Sequence, residues 1–106
     1  MTAVPAAALV DVPDGGVLAV EVDGVGVALV RVGDEVYAVR DECSHAAIPL
    51  SEGEVEGCEI ECWLHGSRFD VRSGKALNLP ATEPIATFQT TIEGDTVMVD
   101  LSSHRS

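Results

Sequence analysis

Two short segments, Cys43-Ser44-His45 and Cys62-Trp63-Leu64-His65, each pair a thiol with an imidazole, and residues 46 to 61 separate them. Carried on two neighbouring loops, they would bring two thiolates and two neutral imidazoles to one point. That donor set suits a single tetrahedral zinc ion. It also suits a [2Fe-2S] cluster with both cysteines on one iron and both histidines on the other. Common zinc arrangements keep the cysteines together in one knuckle and the histidines on a helix. Here each segment is mixed, and a mixed loop can span two adjacent irons with one ligand to each. Elsewhere in the chain no Ser-His-Asp set, phosphate-binding glycine loop or carboxylate pair has usable spacing.

Whatever these segments bind, rigid elements must hold them. Upstream, "VLAVEV" (17–22) ends at Asp23-Gly24, "VGVALVRV" (25–32) ends at Gly33-Asp34, and "VYAV" (36–39) runs up to Cys43. Valine enrichment with Asp-Gly or Gly-Asp punctuation predicts strands joined by tight hairpins. Downstream, "IATFQTTIEGDTVMVDL" (85–101) repeats the form, with a turn at Glu93-Gly94-Asp95 and alternating apolar positions at Ile92, Val97 and Val99. No window sustains an apolar period of 3.6 residues, so helix content should be low. Residues 41–84 differ, with all three cysteines, Pro49, Pro80, Pro84 and many glycines. The expected architecture is a small antiparallel β scaffold that positions an inserted, loop-rich unit, with a frayed tail "SSHRS".

At 106 residues the chain has the size of one domain with a small core. A formal net charge of -12 and aromatics at only 4 % exclude a nucleic-acid partner, because a phosphate backbone would be repelled and stacking surface is scarce. A basic protein surface is the matching partner, with encounter steered by long-range attraction. No stretch approaches the roughly 20 apolar residues of a membrane span. "MTAVPAAALVDV" lacks the positive segment of a signal peptide, so a cytoplasmic location is expected. Cysteines there serve metals or catalysis more often than disulfides, and an odd count of three agrees.

The stretch C-S-H-x-x-x-x-L-S-E-G, then C-x-x-H-G-S-R-F-D-V-R-S-G, then L-P-A-T-E-P, resembles the Rieske-type ferredoxins that feed bacterial ring-hydroxylating dioxygenases. The resemblance implies a single domain over 1–106, an antiparallel β sandwich with a cluster-binding subdomain at about 41–76. It implies a [2Fe-2S] cluster with Cys43 and Cys62 on one iron and His45 and His65 on the other. The activity implied is one-electron carriage by a monomer, not catalysis. Electrons would come from an NAD(P)H-dependent flavin reductase and pass to a terminal Rieske non-haem iron oxygenase, with brief docking near His45 and His65. A structural zinc module and a Rieske ferredoxin serving another client, such as iron-sulfur assembly, are the alternatives.

Two departures stand out. Trp63 occupies the place after the second cysteine where members usually carry proline, which bears on the shape of that loop. Ile48 and Leu64 stand where the Rieske proteins of respiratory complexes carry cysteines of a disulfide clamp, so the resemblance is to the soluble, clamp-free ferredoxins. Replacing two thiolates by imidazoles raises the potential, to about -150 mV or above against about -400 mV for plant-type clusters. Hydrogen bonds to the sulfurs tune that value. The respiratory proteins donate such bonds from a Ser and a Tyr that align with Ser67 and Phe69; Phe69 has no hydroxyl, so a potential toward the low end is expected.

Other residues read more plainly. Cys58 is expected to be a small hydrophobe on a strand, His104 inert, Leu50 a shield for the ligand loops beside Ile48 and Pro49, and Trp63 either shield or docking rim. Glu52, Glu54, Glu56, Glu59 and Glu61 fit a solvated strand face or a docking patch. Arg68 and Arg72 flank Asp70, where ion pairs on a hairpin are expected. Pro80 and Pro84 mark a third loop by the cluster, or a linker.

Overall fold

The computed structural model describes residues 3–42, 48–63, 66–78 and 83–105, the last four by backbone alone. Among them there is no α-helix, and no helix long and apolar enough to cross a membrane. The regular structure is antiparallel β in two sheets.

The valine-rich half supplies the larger sheet. Strands β2 (Val17–Val22) and β3 (Val25–Val32) pair from Val17↔Val30 to Val22↔Val25. Their connection is the two-residue turn Asp23-Gly24, with φ of 49° and 81°, the doubly positive geometry that Asp-Gly adopts at low cost. Strand β4 (Glu35–Arg40) pairs with β3 on one side and β8 (Thr87–Glu93) on the other, and β8 folds back onto β9 (Thr96–Arg105). Strand β1 (Ala3–Ala8) lies against β9 and completes the order β1-β9-β8-β4-β3-β2.

Two elements were not legible in the sequence. β1 contains Pro5, which cannot donate to a ladder, but an edge strand tolerates the loss, and its register shifts between Pro5 and Ala7. The C-terminal tail is not frayed: β9 continues to Arg105, which pairs with Thr87 across an irregularity in β8.

The second sheet is built from three-residue strands, β5 (Glu54–Glu56), β6 (Glu59–Glu61) and β7 (Arg68–Asp70), in that order. Its central residues point inward, with Ile60 opposite Phe69 and both fully buried. β3 is the hinge of the core because both its faces are covered. Val27 and Leu29 point into a group with Val12, Val97 and Val99, and the sheet curls around this group as its edge strands β1 and β2 approach each other. Ala28 and Val30 point the other way, into a group with Val39, Leu50, Ile60, Cys62, Phe69 and Val71 that joins the two sheets as a sandwich. Each buried Val, Leu or Phe contributes about 1.5–3 kcal/mol by leaving water.

Gly53, entering β5, fixes how closely the small sheet closes. A Cβ on it would lie 1.7 Å from the carbonyl oxygen of Glu61, the residue before Cys62. Gly53→Ala must push β5 and β6 apart at that point. We expect a loss of about 2–3 kcal/mol in urea unfolding, with lower bound iron after purification. An unchanged urea midpoint would contradict the contact.

Candidate metal centre

Cys62 follows directly on β6, and its side chain is fully buried in the apolar group between the sheets. The chain then turns back. Cys62 N–H donates to the Ser67 carbonyl at 2.7 Å, and Gly66 N–H donates to the Cys62 carbonyl at 3.0 Å, so the loop is closed at its base before β7 begins. Ser67 is buried beneath it. The thiol therefore faces the interior from a hydrogen-bonded turn, while the next residue, Trp63, is 54 % exposed. Of the two roles open to Trp63, shielding does not fit this exposure.

β4 ends at Arg40; after the C-S-H segment the chain re-enters at Ile48, half-buried against the same apolar group as Cys62, with Pro49 exposed and Leu50 fully buried. Leu50 thus fills space between the sheets in the same apolar group as Cys62. Of the four expected ligands the structure places Cys62; Cys43, His45 and His65 lie outside the described residues, as do Leu64 and residues 79–82 of the third loop. The side chain of His104 is likewise outside. Among the described residues no three His, Cys, Asp or Glu side chains are grouped to hold a metal.

Cys58 departs from expectation. It sits in the turn between β5 and β6, not on a strand, half-buried against the core, and its carbonyl accepts from Val71 N–H at 2.9 Å. A three-residue strand on either side leaves Gly57-Cys58 as the connection, which the valine-poor acidic run did not signal.

The outward face of the small sheet is acidic. Register places Glu54 opposite Glu61, and Glu56 opposite Glu59, two like-charge pairs that oppose pairing of the strands. Arg68 relieves them from β7, with Nη1 at 3.2 Å from both Glu56 and Glu59 and Nη2 at 3.9 Å from Glu61. The bond to Glu56, with Glu59 and Glu61 adding, holds its guanidinium more strongly protonated than an ordinary arginine. Arg72 pairs with Asp70 at 3.0 Å and lowers that carboxyl below the usual carboxylate range. Arg72 makes the expected ion pair with Asp70, whereas Arg68 pairs across the small sheet with Glu56, Glu59 and Glu61.

Side chains that no metal motif signals also meet the two segments. Asp41 accepts twice from Ser51, and Asn78 bridges Gly66 and Arg68.

The Rieske [2Fe-2S] domain family matches residues 2–89, and the chain belongs to that family. It is 48 % identical over 99 residues to the ferredoxin component of the naphthalene 1,2-dioxygenase system of Pseudomonas aeruginosa, covering 93 % of this chain and 95 % of that one. It is similar to the ferredoxin of carbazole 1,9a-dioxygenase from Nocardioides aromaticivorans IC177, with a TM-score of 0.89 and 40 % identity over 93 % of this chain and 97 % of that one. A carbazole 1,9a-dioxygenase structure described as a complex of reduced oxygenase and oxidised ferredoxin matches with a TM-score of 0.86 and 35 % identity, covering 92 % and 91 %. The cofactor of the family is the Rieske-type [2Fe-2S] cluster, which removes the ground for a zinc module. The residues present fit it: a fully buried thiol on a closed turn, free of any disulfide, in a chain whose other expected donors, Cys43, His45 and His65, stand at the expected spacing.

Proposed function

We propose that the chain, as a single domain over 1–106 with its cluster-binding unit at about 41–76, is the electron carrier of an aromatic ring-hydroxylating dioxygenase system. Electrons pass from an NAD(P)H-dependent flavin reductase to a terminal Rieske non-haem iron oxygenase. The ligands assigned are Cys43 and Cys62 on one iron, His45 and His65 on the other. When bound, the cluster supplies a one-electron redox couple. The chain's own residues do the rest. Leu50, Ile60 and Phe69 exclude water from the sulfur side at Cys62, and Trp63 presents an exposed aromatic edge beside it. The acidic outer face of the small sheet adds to a net charge of -12 that selects basic partner surfaces and favours fast, brief contacts. Monomeric state and cytoplasmic location complete the reading.

The observation that carries the proposal is the complete burial of the Cys62 thiol on its closed turn in a chain of this family. Purified protein should be coloured, contain iron and acid-labile sulfide, and give an EPR signal on reduction. With a candidate reductase and oxygenase it should complete electron flow from NADH. A colourless protein holding one divalent ion would end the proposal.

Phe69 is fully buried behind Cys62 and has no hydroxyl to donate toward sulfur. We therefore expect a midpoint toward the low end of the Rieske range, near about -150 mV. A redox titration giving a value well above zero would contradict this.

A further inference from the structure

The two segments that carry the assigned ligands are each fastened by a side chain outside the ligand set. At the first, Asp41 and Ser51 stand on either side of the stretch containing Cys43 and His45. Asp41 Oδ1 accepts from Ser51 N–H and Oδ2 accepts from Ser51 Oγ–H, both at 2.7 Å and both partly buried. A carboxylate engaged through both oxygens by one residue fixes direction as well as distance, and charge makes each bond stronger than a neutral one. The clasp is anchored at both ends. Asp41 N–H donates to the Gly26 carbonyl at 3.0 Å, tying it to the larger sheet, and Ser51 follows Leu50, which is buried between the sheets.

At the second segment, Asn78 acts as a substitute strand partner. Its Oδ1 accepts from Arg68 N–H at 2.5 Å and its Nδ2 donates to the Gly66 carbonyl at 3.0 Å, so one carboxamide holds the backbone immediately after His65. Leu77 N–H donates to the Arg68 carbonyl at 2.8 Å and brings Asn78 into place. Asn78 is exposed. It belongs to neither buried apolar group, so its loss leaves the core packing in place. A metal site, in contrast, needs its ligands held to within about 0.5 Å.

We propose that Asp41, Ser51 and Asn78 are positioning residues for the cluster. The Asp41–Ser51 clasp sets the base of the Cys43–His45 segment, and Asn78 sets the backbone after His65. This rests on the ligand assignment above, and it adds that cluster retention is governed by groups that do not touch iron.

The test compares purified holoprotein with Ser51→Ala, Ser51→Thr, Asn78→Ala and Asn78→Asp. Two readings are taken: the rate at which visible absorbance is lost to an excess of ferrous chelator, and the EPR spectrum of the reduced protein, which reports iron coordination. The expected result is loss about ten-fold faster or more in Ser51→Ala and Asn78→Ala, with broadened EPR lines and unchanged far-UV circular dichroism. Ser51→Thr keeps the hydroxyl and should restore the wild-type rate. Asn78→Asp keeps the acceptor for Arg68 but not the donor to Gly66, and should fall between. Alanine variants with the wild-type rate and spectrum overturn the inference while leaving the electron-carrier reading intact. Equal acceleration in Ser51→Ala and Ser51→Thr overturns the Asp41–Ser51 clasp. Wild-type protein without iron and sulfide overturns both together.

Discussion

Serine in place of Cys62 is expected to give a protein that folds but is colourless, with bound iron and acid-labile sulfide reduced about ten-fold or more. A thiolate is the ligand that iron-sulfur clusters require, and a serine hydroxyl offers no comparable anion at neutral pH. The substitution is nearly isosteric, and burying a hydroxyl among the apolar side chains around Cys62 costs about 1–3 kcal/mol, so the fold is weakened while the site is lost. Cys58 supplies the control. It lies four residues earlier on the same small sheet, half-buried in a turn, and both cysteines are free. Cys58→Ser should keep full colour. Iron analysis, the visible spectrum and circular dichroism read the outcome together. A Cys62→Ser protein that retains the wild-type spectrum would remove Cys62 from the ligand set, and a Cys58→Ser protein that loses it would place Cys58 there.

That contrast also marks what the sequence revealed and what it concealed. The hairpins β2–β3 and β8–β9 were legible because valine runs and Asp-Gly or Gly-Asp turns act locally, and their observed bounds match the reading to within two residues at the inner ends. β3 read as a strand for a reason visible only in three dimensions: its unbroken apolar run "VALV" is buried on both faces. β1 was missed because its alanines and Pro5 carry no strand propensity, and it exists through pairing with β9, nearly a chain length away. The same long-range pairing extends β9 to Arg105 through what composition marked as tail. At the site, Cys62 stood out by type and spacing. Asp41, Ser51 and Asn78 could not, since an Asp, a Ser and an Asn in a loop are ordinary turn residues until the fold shows which atoms they meet. Ile92 illustrates the limit of alternation: it pairs with Val97 in the expected register yet remains 38 % exposed beside the hairpin end, while Val97 is buried.

Truncation of Phe69 is the change expected to cost the fold most. The chain has two phenylalanines, and this one is fully buried in the middle of β7, opposite Ile60 and bridged on its other side to Ala76. It fills the space where Leu50, Cys62 and Val71 meet Ala28, Val30 and Val39 of the larger sheet. With three-residue strands, the small sheet has few ladder bonds of its own and depends on this packing for its place. Phe69→Ala leaves a void that flanking β-branched side chains cannot close, and should cost about 3–5 kcal/mol. Against a total of about 5–15 kcal/mol for a domain, this lowers Tm by about 15–30 °C. Because the same side chain backs Cys62, loss of visible absorbance should track loss of sheet signal on heating in both proteins, each shifted by the same amount. Val10→Ala, at a side chain 81 % exposed, should change stability by no more than about 0.5 kcal/mol. If Phe69→Ala melted within a few degrees of wild type, or bleached while the sheet signal held, the two sheets would not share one core, and the rigidity assigned here to the ligand turn would have to come from the cluster itself.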